Sequence, residues 1–179
     1  MASTTKVKSS NRLLVGGAAI LAFLLLAIAG ASWWGYGFAT EQVRHQLVQE
    51  KIYFPQAGTP ALNPKEFPGL QKYAGTQVDD GDKAKAYADE FIWTHMMKAS
   101  GGKTYAEISA AAMANPRDTK LTSLKQTLFM GDMLRSSLLT AYAFSRFGVV
   151  AYWVAIICLA AAGLVLVMVP LSLRLEAKP

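Results

Sequence analysis

"FGVVAYWVAIICLAAAGLVLVMVPLSL", residues 147–173, is 27 residues long and has no charge. About 20 apolar residues on a helix cross the ~30 Å of bilayer hydrocarbon, so this run is long enough to span one. Working outward towards the N-terminus, one other stretch has the same character. "LLVGGAAILAFLLLAIAGA", residues 13–31, is also without charge. Nothing between the two qualifies. The expectation is an all-α membrane protein with two transmembrane helices flanking a mainly helical outer segment.

The first run has a rival reading as a signal peptide, with Lys6, Lys8 and Arg12 as a basic leader and Ala29-Gly30-Ala31 as a cleavage site. Its apolar core exceeds the usual 7–15 residues, which favours a retained anchor. Lys6, Lys8 and Arg12 precede the first span, and Arg174 and Lys178 follow the second. Basic residues in short flanks are kept on the cytoplasmic side, whereas a long loop crosses regardless of charge. The expected topology is a plasma-membrane protein with both termini cytoplasmic. Its segments are a tail at 1–12, spans at 13–37 and 147–173, an outer segment at 38–146 and a tail at 174–179. Trp33, Trp34 and Tyr36 end one span and Phe144, Phe147, Tyr152 and Trp153 begin the other, as an interfacial aromatic belt would.

Most of the net charge of +6 belongs to the tails, where five basic residues face only Glu176. A nucleic-acid footprint needs basic residues gathered on one face, and the outer segment has no such cluster. The tail charges read as topology signals and contacts to anionic lipid. Cys158, the only cysteine, lies in the second span, so the outer segment has no disulfide.

Within the outer segment, residues 53–81 contain Pro55, Pro60, Pro64 and Pro68, a spacing that excludes both a helix and a central strand. An irregular loop of this length is uncommon unless it binds something. Asp82 is the expected cap of a helix over 83–99, with Ala84, Ala88, Ile92 and Met96 on one stripe. Gly101-Gly102 should stop it. Thr104 and Glu107 then form a T-x-x-E capping box for a helix ending at Asn115-Pro116. Gly102-Lys103-Thr104 resembles the end of a phosphate-binding loop, but Met97 stands where that motif needs its first glycine. No nucleotide site is expected. A further helix should begin near Thr119, carry Leu121, Leu124 and Leu128 inward, and run into the second span.

Candidate chemistry is sparse. His95 with Met96 offers ligand types suited to copper, but adjacent helical residues diverge by about 100°. "DDGDKAKAYADE" has Gly81, Lys83 and Ala84 at positions 3, 5 and 6, where a calcium loop needs oxygen ligands and a glycine. Small-xxx-small spacings at Ala18–Ala22, Ala27–Ala31 and Ala151–Ala155 would let helices approach closely.

"FIWTHMMKASGGKTYAEI" and, some thirty residues later, "MLRSSLLTAYAFSRFGV" resemble a family of small actinobacterial two-span membrane proteins often labelled aromatic ring-opening dioxygenase "LigA". The resemblance implies a span, an outer segment and a second span. Ring-opening chemistry on non-haem iron would need two histidines and a carboxylate converging on the metal. His45 and His95 are 50 residues apart with no motif pairing them to a carboxylate, so only the topology is carried over.

Two functions are therefore expected from the residues. One is a non-catalytic accessory subunit, docking on a larger membrane protein complex within the lipid bilayer and using no cofactor. Aromatic residues and arginine dominate interface energetics, so Trp33, Trp34, Phe54, Phe67, Arg135 and Trp153 are the expected partner contacts. The other is a free-standing copper-binding or sensing module using His95 and Met96.

Overall fold

The computed structural model describes residues 2–176, with side-chain surroundings for 13–171. Five α-helices follow in order: α1 (Ala2–Gln49), α2 (Gly81–Ala86), α3 (Trp93–Ser100), α4 (Tyr105–Ala114) and α5 (Thr119–Glu176). A π-helical turn, Tyr87–Ile92, joins α2 to α3, and two 3-10 turns, Pro60–Leu62 and Pro68–Tyr73, lie in the proline-rich loop. Among the described residues there is no β-strand, only an isolated antiparallel bridge between Tyr53 and Gln77. α1 and α5 are both long and apolar enough to cross a membrane. The chain divides into two units, one formed by 1–38 with 147–179 and the other by 39–146.

In the first unit, Ala22, Ala29, Ala155 and Ala162 are buried, while most of the large apolar side chains are exposed. On α1 the covered positions Ala18, Ala22, Leu25, Ala29, Ser32 and Tyr36 recur at steps of four and three. That is the 3.5-residue repeat of helices packing at a shallow angle, and small residues on it let backbones approach where lipid supplies no hydrophobic drive. Ala27 and Ala31 are exposed and take no part in this seam. At one end of the unit, the Tyr36 and Tyr152 rings lie 5.3 Å apart and Trp33 lies 6.0 Å from Tyr152.

The second unit has its own core, and the proline-rich loop supplies much of it. Phe54, Leu62, Phe67, Leu70 and Val78 are buried together with Val43 and Leu47 of α1, Ile108 of α4, and Leu128 and Leu138 of α5. Backbone hydrogen bonds from Phe54 to Thr76 and from Val78 to Ile52, both 2.9 Å, close the base of the loop. Its prolines work as helix starters: Pro60 and Pro68 each sit in the first turn of a 3-10 segment, where a missing N–H costs nothing. The loop is thus irregular, as expected, but it needs no neighbour to order it.

The central helix corrects the expected cap. Asp80, not Asp82, is the N-cap, its carboxylate accepting a 2.8 Å hydrogen bond from the Lys83 N–H. Asp82 instead accepts from Arg146 at 3.0 Å. Ala84, Ala88, Ile92 and Met96 are all buried, as the stripe requires. Strict four-residue spacing drifts by about 40° per step on an α-helix, roughly 120° over three steps. The wider turn at Tyr87–Ile92 takes up that drift and keeps all four on one face.

The helix ends in the arrangement known as a Schellman motif. Gly101 is left-handed (φ 64°), with hydrogen bonds from Gly101 to Lys98 O at 3.3 Å and from Gly102 to Met97 O at 2.7 Å. The capping box follows, Glu107 accepting from the Thr104 N–H at 2.7 Å and donating its own N–H to Thr104 Oγ1 at 3.4 Å. Gly-Gly-Lys-Thr is therefore a helix stop followed by a helix start.

Candidate interaction surface

Arg135 lies on α5 in the second unit, and the folded chain pairs it internally. Its guanidinium donates to Asp89 at 3.0 Å and stacks over Trp93, 4.6 Å from the ring centre, while its Nε is buried without a partner. Asp89 also pairs with Lys85 one turn earlier. The Lys85 hydrogen bond is the main reason the Asp89 carboxyl is held below its usual range; partial burial opposes this and Arg135 reinforces it. Tyr142 lies between Lys85 (5.4 Å) and Arg146 (5.1 Å), so the cations of this region face aromatic and acidic groups of the same unit.

Phe54 and Phe67, expected to meet a partner, are interior residues at 2% exposure each. The correction has a simple cause: the loop folds onto the central helix, where Phe54 stacks on Tyr73 and meets Tyr87 edge-on, and Phe67 stacks on His95. Trp33, Trp34 and Trp153 are at least half exposed, in the first unit. Trp33 and Trp153 both contact Tyr152, at 6.0 and 5.6 Å, whereas Trp34 stacks on Phe38. Trp93 has no place among the expected contacts, yet it is the residue that holds the Arg135 plane.

His95 and Met96 have different surroundings. His95 Nδ1 is 2.8 Å from the Phe91 carbonyl, and its ring packs against both Phe67 and Phe91. Met96 is buried against Gly131, where a Cβ would come within 2.6 Å of its sulfur. A metal shared by the two would require Met96 to leave that packing. His45 Nε2 meets Gln49 on α1 at 3.3 Å. Among the described residues, no three or more His, Cys, Asp or Glu side chains gather as a metal site.

What the second unit does present is one face of α5. Phe129, Met130, Met133 and Leu134 are exposed, and the same turns carry Asp132 and Arg135. Met130 and Met133 are more than half exposed. By contrast, the part of α1 that belongs to the second unit exposes Glu41, Gln42, Arg44 and His45, a face suited to water. Sequence reasoning named neither Met130 nor Met133 as a contact and missed this face. Its signal is legible: α5 carries two apolar stripes, one through Leu121, Leu124 and Leu128 and another through Met130 and Met133, and a unit of this size buries only one.

Comparison with protein-family models, with curated proteins and with solved structures gave no match.

Proposed function

We propose that the chain is a non-catalytic accessory subunit of a larger membrane protein complex. In this reading α1 and α5 anchor it with both termini cytoplasmic, and residues 39–146 stand outside the bilayer. The basic flanks on which that orientation rests, Lys6, Lys8, Arg12, Arg174 and Lys178, lie outside the residues whose side chains are described. The observation that carries the proposal is the exposed apolar face of α5 at Phe129, Met130, Met133 and Leu134. Met133 precedes Phe144, the first of the belt aromatics on α5, by 11 residues, about three helical turns or ~16 Å, so lipid at the level of those aromatic residues does not cover it. An exposed apolar patch bordered by polar residues marks an interaction surface. Trp33, Trp34 and Trp153 are then belt residues open to lipid or to a neighbouring span.

Mild detergent extraction of native membranes, followed by affinity purification and native mass measurement, tests this reading. A larger membrane protein present in fixed stoichiometry is the expected result. The chain recovered alone as a monodisperse species overturns it.

A further inference from the structure

The charge-free run of α5 begins at Phe147, directly after Arg146, so a membrane that α5 crosses has its polar boundary at Arg146. A basic side chain at the end of a span reaches to the headgroup level. Arg146 is not alone there. Gly81 lies so close to α5 that a Cβ would come within 2.0 Å of Ser145 Oγ and 3.4 Å of the Tyr142 Cα. That approach brings Asp82 to Arg146, whose guanidinium donates to Asp82 Oδ1 at 3.0 Å and lies 5.1 Å from the centre of the Tyr142 ring. The chain around Gly81 adds Asp79, Asp80 and Lys83, giving three carboxylates to two cations. The carboxylates are the more open groups. Asp82 is 65% and Asp80 55% exposed, against 21% for Lys83, which Asp79 engages. This turn is therefore charged and open at the headgroup level, yet it carries no net positive charge.

Resting on the placement of α5 across the bilayer in the accessory-subunit reading, we infer that the Asp82–Arg146 pair binds a phospholipid headgroup carrying a primary ammonium beside its phosphate, a phosphoethanolamine group. Arg146 has N–H donors beyond the one given to Asp82, and a guanidinium matches the geometry of a phosphate. Asp82 has a carboxylate oxygen without a partner among the described residues, and an ammonium can donate to it. A short ethylene link joins the two charges of phosphoethanolamine, so one headgroup reaches both members of a pair whose charged atoms are 3.0 Å apart. A glycerol headgroup offers the phosphate without the cation and leaves the open carboxylates facing like charge. A choline headgroup has the positive charge but no N–H, so it cannot donate to Asp82. The Tyr142 ring beside the guanidinium adds a second contact that holds it at this level.

The test reconstitutes the full-length chain in nanodiscs of equal parts phosphatidylethanolamine, phosphatidylcholine and phosphatidylglycerol with matched acyl chains. Native mass measurement then reads which lipid stays on the protein after ejection. Phosphatidylethanolamine should be retained about threefold above its share, the modest preference that a solvent-exposed charge pair gives. Asp82→Asn and Arg146→Gln should each return it to its share, and Asp82→Glu should keep it. Asp132→Asn, 14 residues before Arg146 or about 21 Å along α5, should leave it unchanged. Asp82 is well exposed, so its substitution leaves the fold standing, which melting by circular dichroism checks. Retention of phosphatidylglycerol, no preference at all, or a preference that survives in Asp82→Asn overturns the inference. If there is no preference while a larger protein accompanies the chain from native membranes, this site is wrong and the accessory reading stands. A chain that keeps phosphatidylethanolamine but purifies without any larger protein fails the accessory reading alone. A chain that alkaline carbonate strips from vesicles of these lipids does not span them, and both readings then fail.

Discussion

Phe67 is the residue at which the loop's role is decided. It is buried against Phe91 and His95, the ring lying flat on the imidazole 5.4 Å away. Replacing a buried Phe with Ala costs about 3–5 kcal/mol through lost transfer and the cavity left behind. Phe67→Ala should therefore lower the thermal midpoint of the second unit sharply, whereas Trp34→Ala, at a 71% exposed position, should leave it nearly unchanged. Melting of the full-length chain in detergent, followed by circular dichroism, measures both. A stable Phe67→Ala protein would mean that the loop is not part of the core. Asp89 sets the pH response. Its folded pKa is depressed, so the stabilisation it gives is present above the unfolded value of about 4 and is lost as pH falls through that value towards the folded one. Asp89→Asn should thus be less stable than wild type at neutral pH, and the difference should shrink as the pH falls below about 4. A difference that stays constant down to acid pH would show that the Lys85–Asp89–Arg135 group does not set the acid limit.

At the scale of elements, punctuation was the most legible part of the sequence. The charge-free runs, the Gly101-Gly102 stop and the Thr104–Glu107 box each act through local chemistry, so four to twenty residues suffice to read them. The capping role of Gly-Lys-Thr belongs to this scale too. Thr104→Ala should cost about 1 kcal/mol by removing an N-cap, while Lys103→Ala should be nearly silent. ATP-dependent protection against heat, abolished by Lys103→Ala, would show a phosphate site instead. Glu107 behaves as a box residue should, its carboxyl held below the usual range first by the Thr104 backbone hydrogen bond. The rest was not legible, because it depends on contacts distant in sequence. The Asp89–Arg135 and Asp82–Arg146 pairs join residues 46 and 64 positions apart. Phe54 and Phe67 sit among prolines with no period of three, four or two, so nothing local separates a buried aromatic from an exposed one. The π turn did leave a trace. A stripe with every step equal to four, Ala84, Ala88, Ile92, Met96, is slightly too long for an α-helix to keep on one face. Gly81 records another contact that only folding reveals: a Cβ there would come within 2.0 Å of Ser145 Oγ.

For the molecule as a whole, the two units are stabilised differently. Residues 39–146 bury phenylalanine, leucine, valine, isoleucine and methionine around the central helix, the arrangement by which apolar side chains are withdrawn from water. The unit built on 1–38 and 147–179 buries alanine and exposes its leucines, isoleucines and phenylalanines, the inverse arrangement, which is stable only where the surroundings are themselves apolar. That inversion supports placing the spans in lipid independently of hydropathy. It does not orient them, and orientation rests on the flanking charges. A cysteine scan reads it directly. Lys65→Cys, at an exposed loop position, should react with a membrane-impermeant thiol reagent in intact cells, and Ser3→Cys should react only after permeabilisation. Cys158 stays as a constant background, half-buried in the seam of the first unit. Labelling of Ser3→Cys but not of Lys65→Cys in intact cells would invert the topology and put the α5 face on the cytoplasmic side, where its partner would then have to be sought.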